Sequence, residues 1–254
     1  MRELNFQDEI KKITEFIKLQ LIKAGFTKLI VGLSGGIDSS VTAALCVKAV
    51  GKENVFGVML PYRKSHPNSL AHAKQVAKQL GIKYEIVDIS SMVDAYFDKY
   101  VADADILRKG NRIARERMCV LYDLSAKYKA LVAGTGNKSE LMVGYCTQYG
   151  DNACAFEPIG HLYKTEVLKL ARILNLLDVV INKKPTADLW AAQTDEDEMG
   201  ITYKELDEIL YQMLDQKIEY EDLIAAFSKE KFDKVKRMIQ VSEFKRNMPP
   251  MIRE

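Results

Sequence analysis

The chain has 254 residues, of which 48% are hydrophobic and 28% charged, and its formal net charge is +2. This length supports one sizeable core with an extension, and the composition excludes disordered, collagenous and membrane-embedded classes. A nearly neutral balance also argues against a nucleic-acid partner, which calls for a strongly basic surface. No apolar run approaches the ~20 residues that span a bilayer, and acids interrupt the opening stretch (Glu3, Asp8, Glu9), unlike a signal or transit peptide. The cysteines Cys46, Cys119, Cys146 and Cys154 form no CxxC pair, so unbridged thiols in a reducing cytoplasm are expected.

In chain order, Leu4, Ile10, Ile13, Ile17 and Leu21 recur at helical spacing and predict an amphipathic helix ending near Ala24-Gly25. A strand over 29–33, a helix over 39–50, a strand over 55–60, a helix over 69–80 and a strand over 83–89 follow. Two helices, 91–101 and 111–128, lead to a fourth strand over 130–135. The alternation predicts an α/β fold: a doubly wound, mainly parallel, Rossmann-like sheet with helices on both faces and ligands at the carboxyl ends of its strands. Beyond it come a loop-like tract over 136–161, a helix over 163–175 and a connection ending at Lys183-Lys184-Pro185. From Tyr203 onward helices alone are expected, over 203–214, 220–226 and 232–244. The expected organisation is one domain: an N-terminal helix (1–24), an α/β core (25–175), and a loop with a C-terminal helical cap (176–254).

The segment Gly32-Leu33-Ser34-Gly35-Gly36-Ile37-Asp38-Ser39 sits between the first strand and its helix. Adjacent glycines allow close backbone approach, and a helix N-terminus offers unpaired N–H groups, a combination that suits phosphate. A GxxxxGK[ST] loop places a lysine on the outer phosphates; here Asp38 and hydroxyls stand instead. A carboxylate beside phosphates needs a cation between them, so Asp38 reads as a Mg²⁺ ligand.

Glu140, in Gly134-Thr135-Gly136-Asn137-Lys138-Ser139-Glu140, follows a buried strand. It reads either as a second metal carboxylate or as the start of an ordinary helix. Arg108, Arg112 and Arg115 share one helical face, which is either solvated or anion-binding. The tract 144–151, ending in Asp151, reads as a folded loop that could hold an ammonium ion, or as a surface turn. The run Asp195–Glu198 reads as a solvated loop or a helix N-terminus. His66, His72 and His161 show no metal spacing, and neither HExxH nor GxSxG occurs.

The loop resembles the SGGxDS[ST] signature of the ATP pyrophosphatase superfamily, whose adenine nucleotide alpha hydrolase-like members cleave ATP to AMP and pyrophosphate. Taken with Gly110–Arg115, Gly134–Glu140, Gly144–Asp151, Leu162–Thr165, Lys184–Trp190 and Gln193–Glu196 in that order, it is similar to the ammonia-dependent NAD⁺ synthetase family. The resemblance implies a carbon–nitrogen ligase that adenylylates the carboxylate of deamido-NAD⁺ (nicotinic acid adenine dinucleotide) with ATP and then admits ammonia, acting as a homodimer. It also implies ATP contacts from Gly32, Leu33, Ser34, Gly35, Gly36, Ile37, Asp38, Ser39, Thr135, Lys164 and Thr186, with Mg²⁺ on Asp38 and Glu140.

Arg115, Gln148, Ala155, Phe244 and Lys245 map onto deamido-NAD⁺ contacts, and Asp151 onto the ammonium site. Three positions depart from the family: Gln148 often stands as lysine, Ala155 as an acid and Phe244 as histidine. The length remaining after the α/β core is too short for a glutaminase, so free ammonia is the expected donor. The alternatives are another enzyme of the superfamily, an RNA thiolase or a different amide ligase, and a non-catalytic ATP-binding module.

Overall fold

The computed structural model describes the whole chain except residues 64, 102, 191, 192, 220, 224–226, 253 and 254. Its sheet has four parallel strands, β1 (Lys28–Gly32), β2 (Val55–Met59), β3 (Lys83–Ile86) and β4 (Ala130–Ala133), in the order β3-β2-β1-β4. Leu29 of β1 pairs with Val55 of β2 and with Leu131 of β4. The middle of the central strand is hydrophobic because it is covered on both sides: Leu29, Ile30 and Val31 are each fully buried.

Alternation along β1 divides the core. Leu29 and Val31 face one layer with α1 (Phe6–Ala24), α2 (Ile37–Val50), α3 (Pro67–Leu80) and α7 (Lys164–Ile173). Ile30 faces the other, with Val93 of α4 (Ser90–Tyr100) and Ile113 and Leu124 of α5 (Ile106–Tyr128). The fold is therefore doubly wound, as the strand–helix alternation predicts. A third apolar cluster joins Tyr163 to α10 (Tyr203–Leu210) and α11 (Lys229–Val241).

The main difference lies in the tract expected as loop over 136–161, which holds a short helix, α6 (Lys138–Val143). Asn137 caps it by accepting from the Glu140 N–H at 3.1 Å, and Gly144 ends it in the left-handed region. A six-residue helix is too short for periodicity to register, so its caps are its only signature. Two further short helices, α8 (Asp178–Ile181) and α9 (Asp195–Met199), likewise escape the periodicity.

The helix expected over 111–128 begins earlier, at Ile106, because Asp105 accepts from the Arg108 N–H at 2.7 Å. Likewise α11 starts at Lys229 under a Ser228 cap and stops at Val241, before a 3-10 turn over Glu243–Arg246. Beyond Leu210 the expected helix widens into a π turn (Tyr211–Asp215). The helix expected over 220–226 lies partly outside the described residues. No helix among the described residues is long and apolar enough to cross a membrane.

Candidate active site

The chain leaves β1 toward β2 on one side and returns to β4 on the other, so the β1 and β4 loops diverge from a topological switch point, where α/β sheets hold ligands. A cavity of about 650 Å³ opens there, within the range of small-molecule sites. Its wall includes Ser34, Gly36 and Asp38 from the β1 loop, Leu60, Pro61 and Tyr62 from the end of β2, and Thr135 after β4.

Gly35 adopts φ +72°, and a methyl there would meet the Ser69 carbonyl oxygen at 2.3 Å. Only glycine fits both the conformation and the space. Gly36 stands at the N-cap of α2 without a side-chain cap, which leaves the first-turn N–H groups unpartnered by any cap and directed toward the cavity end of the helix. The loop is stiffened from within: Ser34 Oγ accepts from the Gly36 N–H at 3.2 Å, and Ser40 Oγ donates to Gly36 O at 2.7 Å.

Asp38 and Glu140 converge on one cation. Lys164 Nζ, on the first residue of α7, donates to Asp38 Oδ2 at 2.5 Å and to Glu140 Oε1 at 2.9 Å. Asn137 Nδ2 orients the other Asp38 oxygen at 3.0 Å. Burial disfavours the Lys164 ammonium, but Asp38 and Glu140 together outweigh it and hold its pKa above the ordinary range. Glu140 is shifted upward, first by burial and then by the Asp38 charge, with Lys164 opposing.

Around this pair runs a hydrogen-bonded chain that sequence reading did not find. Tyr203 OH lies 3.0 Å from both Glu140 Oε1 and Asp195 Oδ2, and Tyr145 OH lies 3.1 Å from Asp195 Oδ1. Asp195 is therefore not a solvated acid: it is 3% exposed. Tyrosine–carboxylate pairs separated by 50 and 8 residues leave no local pattern. The C-terminal helices hold this wall in place, since Asp207 of α10 accepts from Ser139 Oγ and, at 2.8 Å, from the Thr165 N–H.

Thr135, Lys164, Thr186, Asp151 and Lys245 line the cavity with the loop residues Gly32, Leu33, Ser34, Gly36, Ile37, Asp38 and Ser39. Asp151 is reached from the cavity but closely ringed by protein, so burial raises its pKa; Oδ1 accepts from the Thr147 N–H at 2.7 Å. Lys245 donates to the carbonyls of Gly144 and Cys146, both at 2.7 Å. Arg115, Gln148, Ala155 and Phe244 lie outside the cavity wall: Arg115 Nε donates to Gln148 O at 3.2 Å, and Phe244 is 58% exposed.

The three-arginine face does not reach the cavity, because Arg112 pairs with Glu116 at 2.9 Å and stacks over Tyr96. The arginine that does is Arg117, two residues on, whose Nε donates to Leu60 O at 3.2 Å. A three- and four-residue spacing search misses it because it lies off that stripe.

Behind β4, Glu157 accepts from the Gly136 N–H at 2.9 Å and from Cys154 Sγ at 3.3 Å. Burial pushes its pKa up from 4.5 to about 7, although both hydrogen bonds oppose the shift. Between these values the folded state holds a proton that the unfolded state has released, so this residue's contribution to stability falls as pH rises from 4.5 to about 7. Glu157→Gln keeps an acceptor without the charge. Relative to wild type, the variant gains on the order of 1–3 kcal/mol between pH 5 and pH 8, read by urea unfolding; an unchanged difference across that range rules out the buried charge.

The NAD synthase family model matches residues 9–249. The chain is 48% identical to an NH(3)-dependent NAD(+) synthetase of Fusobacterium nucleatum, over 97% of this chain and 96% of that protein. Among solved structures it resembles the NH3-dependent NAD synthetase from Campylobacter jejuni, with TM-score 0.84 and 35% identity over 99% of this chain and all of that one. It also resembles the NMN synthetase from Francisella tularensis, with TM-score 0.88 and 29% identity over 98% of this chain and 99% of that one.

Proposed function

The chain belongs to the NAD synthase family, and from that membership we propose that it converts deamido-NAD⁺ to NAD⁺ with ATP and ammonia, releasing AMP and pyrophosphate. The observation that carries this reading is the convergence of Asp38 and Glu140 on one cation beside an uncapped helix N-terminus.

The β1 loop receives the β- and γ-phosphates on its backbone N–H groups, Thr135 and Thr186 line the way to the rest of the nucleotide, and Lys164 contacts ATP. Lys164 marks where a cation fits: two carboxylates already meet its ammonium, so the donor set suits Mg²⁺, which takes one or two carboxylates plus phosphate oxygens and water. Bound by Asp38 and Glu140, Mg²⁺ would supply charge neutralisation for the departing pyrophosphate.

In the first step a nicotinate carboxylate oxygen bonds to the α-phosphorus, and the bond from that phosphorus to the pyrophosphate oxygen breaks. The loop N–H groups face the charge that develops on the leaving group. Ammonia then attacks the acyl carbon, loses a proton, and AMP departs with the carbon–oxygen bond pair. Asp151 is the residue we assign to hold and deprotonate ammonium: it faces the cavity, and its raised pKa makes it a better base than an ordinary aspartate.

Arg115 and Lys245 are assigned to the dinucleotide, as are Gln148, Ala155 and Phe244 outside the cavity wall. The exposed positions of Arg115 and Phe244 fit a site completed by a second copy in a homodimer. A cytoplasmic location accords with four free cysteines.

Incubation with ATP, Mg²⁺, ammonium and deamido-NAD⁺ is expected to give NAD⁺ and AMP in equal amounts, with nicotinic acid mononucleotide a poorer acceptor. ADP as the product, or AMP release without an acceptor, would contradict the reading.

A further inference from the structure

The phosphate loop lacks the lysine that a GxxxxGK[ST] loop carries, and the fold brings one to it from far along the chain. Lys183, between α8 and α9, lines the cavity with Ser34, Gly36 and Ser69. Its Nζ donates to Ser69 Oγ at 2.9 Å. Ser69 lies in the first turn of α3, and its carbonyl is the atom that closes the space beside Gly35. The ammonium is thus held one residue away from the loop.

The cations of this wall are not alike. Lys164 is saturated by two carboxylates, Lys245 by two carbonyls, and Arg117 by the Leu60 carbonyl with Ser65 and Asp188 O, while Lys184 is exposed. Part-buried Lys183 forms no ion pair with any described residue, and its hydrogen-bond partner is a neutral hydroxyl. The acid acting on it, Asp188, is engaged through Oδ1 with the His66 N–H at 2.6 Å. Burial draws the Lys183 pKa below its ordinary value, with Asp188 opposing. A half-buried ammonium without a counter-ion gains by exchanging a hydroxyl for an anionic oxygen, since the anion adds a charge–charge attraction that a neutral hydroxyl cannot supply.

We propose that Lys183 is the phosphate-binding lysine of this site, parked on Ser69 in the ligand-free state and transferred to the outer phosphates of ATP and to the pyrophosphate product. The proposal rests on the reading of the β1 loop as the ATP phosphate site. Calorimetric titration of wild type, Lys183→Met and Lys183→Arg with Mg²⁺-ATP, Mg²⁺-pyrophosphate and AMP tests it. In Lys183→Met the Kd values for ATP and pyrophosphate rise about tenfold or more, that for AMP, which lacks the outer phosphates, stays within about twofold, and arginine restores most of the loss.

Ser69→Ala separates binding from simple bracing of the segment: it removes the parking hydroxyl, so ATP affinity is kept or improved. Equal loss for all three ligands in Lys183→Met, or loss of ATP affinity in Ser69→Ala matching that of Lys183→Met, would make Lys183 a structural brace and overturn the proposal. Wild type binding AMP as tightly as ATP and failing to bind pyrophosphate would overturn the ATP-site reading itself.

Discussion

Asp38→Asn is expected to lower turnover by about a thousandfold or more, the scale on which preorganised charge stabilisation acts. The substitution is isosteric, so the helix start and the loop remain. It removes one of the two charges that meet at Lys164 Nζ and leaves the ammonium facing Glu140 alone. An amide also presents one acceptor where Asp38 now serves two donors, Lys164 Nζ at 2.5 Å and Asn137 Nδ2 at 3.0 Å. Leaving a buried cation half compensated costs stability, and Tm falls by a few degrees without loss of the circular dichroism spectrum. Wild-type turnover in this variant would remove Asp38 from the metal site.

Gly35→Ala has the second largest expected effect, and it has a built-in control. Both Gly35 and Gly25 adopt left-handed backbone, at φ +72° and +71°. A methyl at Gly25 meets nothing within 4 Å, whereas at Gly35 it meets Ser69 O at 2.3 Å and Ala73 N at 3.0 Å. Gly25→Ala therefore carries the backbone strain alone, about 1–2 kcal/mol. Gly35→Ala carries that strain and must also push the loop off α3, which displaces the N–H groups that receive phosphate. ATP affinity is expected to fall at least tenfold in Gly35→Ala and to stay unchanged in Gly25→Ala. Equal binding by the two variants would show that close approach of the loop to α3 does not shape the site.

The division between what the chain declares locally and what it hides follows from the range of the interactions. β1 is legible because a strand buried on both faces must be continuously apolar, and the loop after it because glycine pairs and hydroxyls have few other uses in that setting. Glu140 stands six residues after the buried Gly134, which places it near the rim but leaves its role open until Asp38 is seen to share its cation. The rest has no local signature. Asp195 looks like one acid in a solvated run, and only the fold buries it between Tyr145 and Tyr203.

Arg117 and Lys183 are ordinary basic residues in sequence; their importance comes from the cavity wall on which the topology sets them. Gly134 is a further case, since Glu157 and Cys154 pack to within 2.4 and 2.5 Å of where its Cβ would lie. That constraint comes from 23 and 20 residues downstream and cannot be read from the strand end alone.

The central claim is that the nicotinate carboxylate attacks the α-phosphate while the β1 loop retains the other two. The product assay answers it most directly when run with deamido-NAD⁺ carrying ¹⁸O in the carboxylate and analysed by mass spectrometry. The account predicts one labelled oxygen in AMP and none in pyrophosphate. Unlabelled AMP, or label in pyrophosphate, would contradict it.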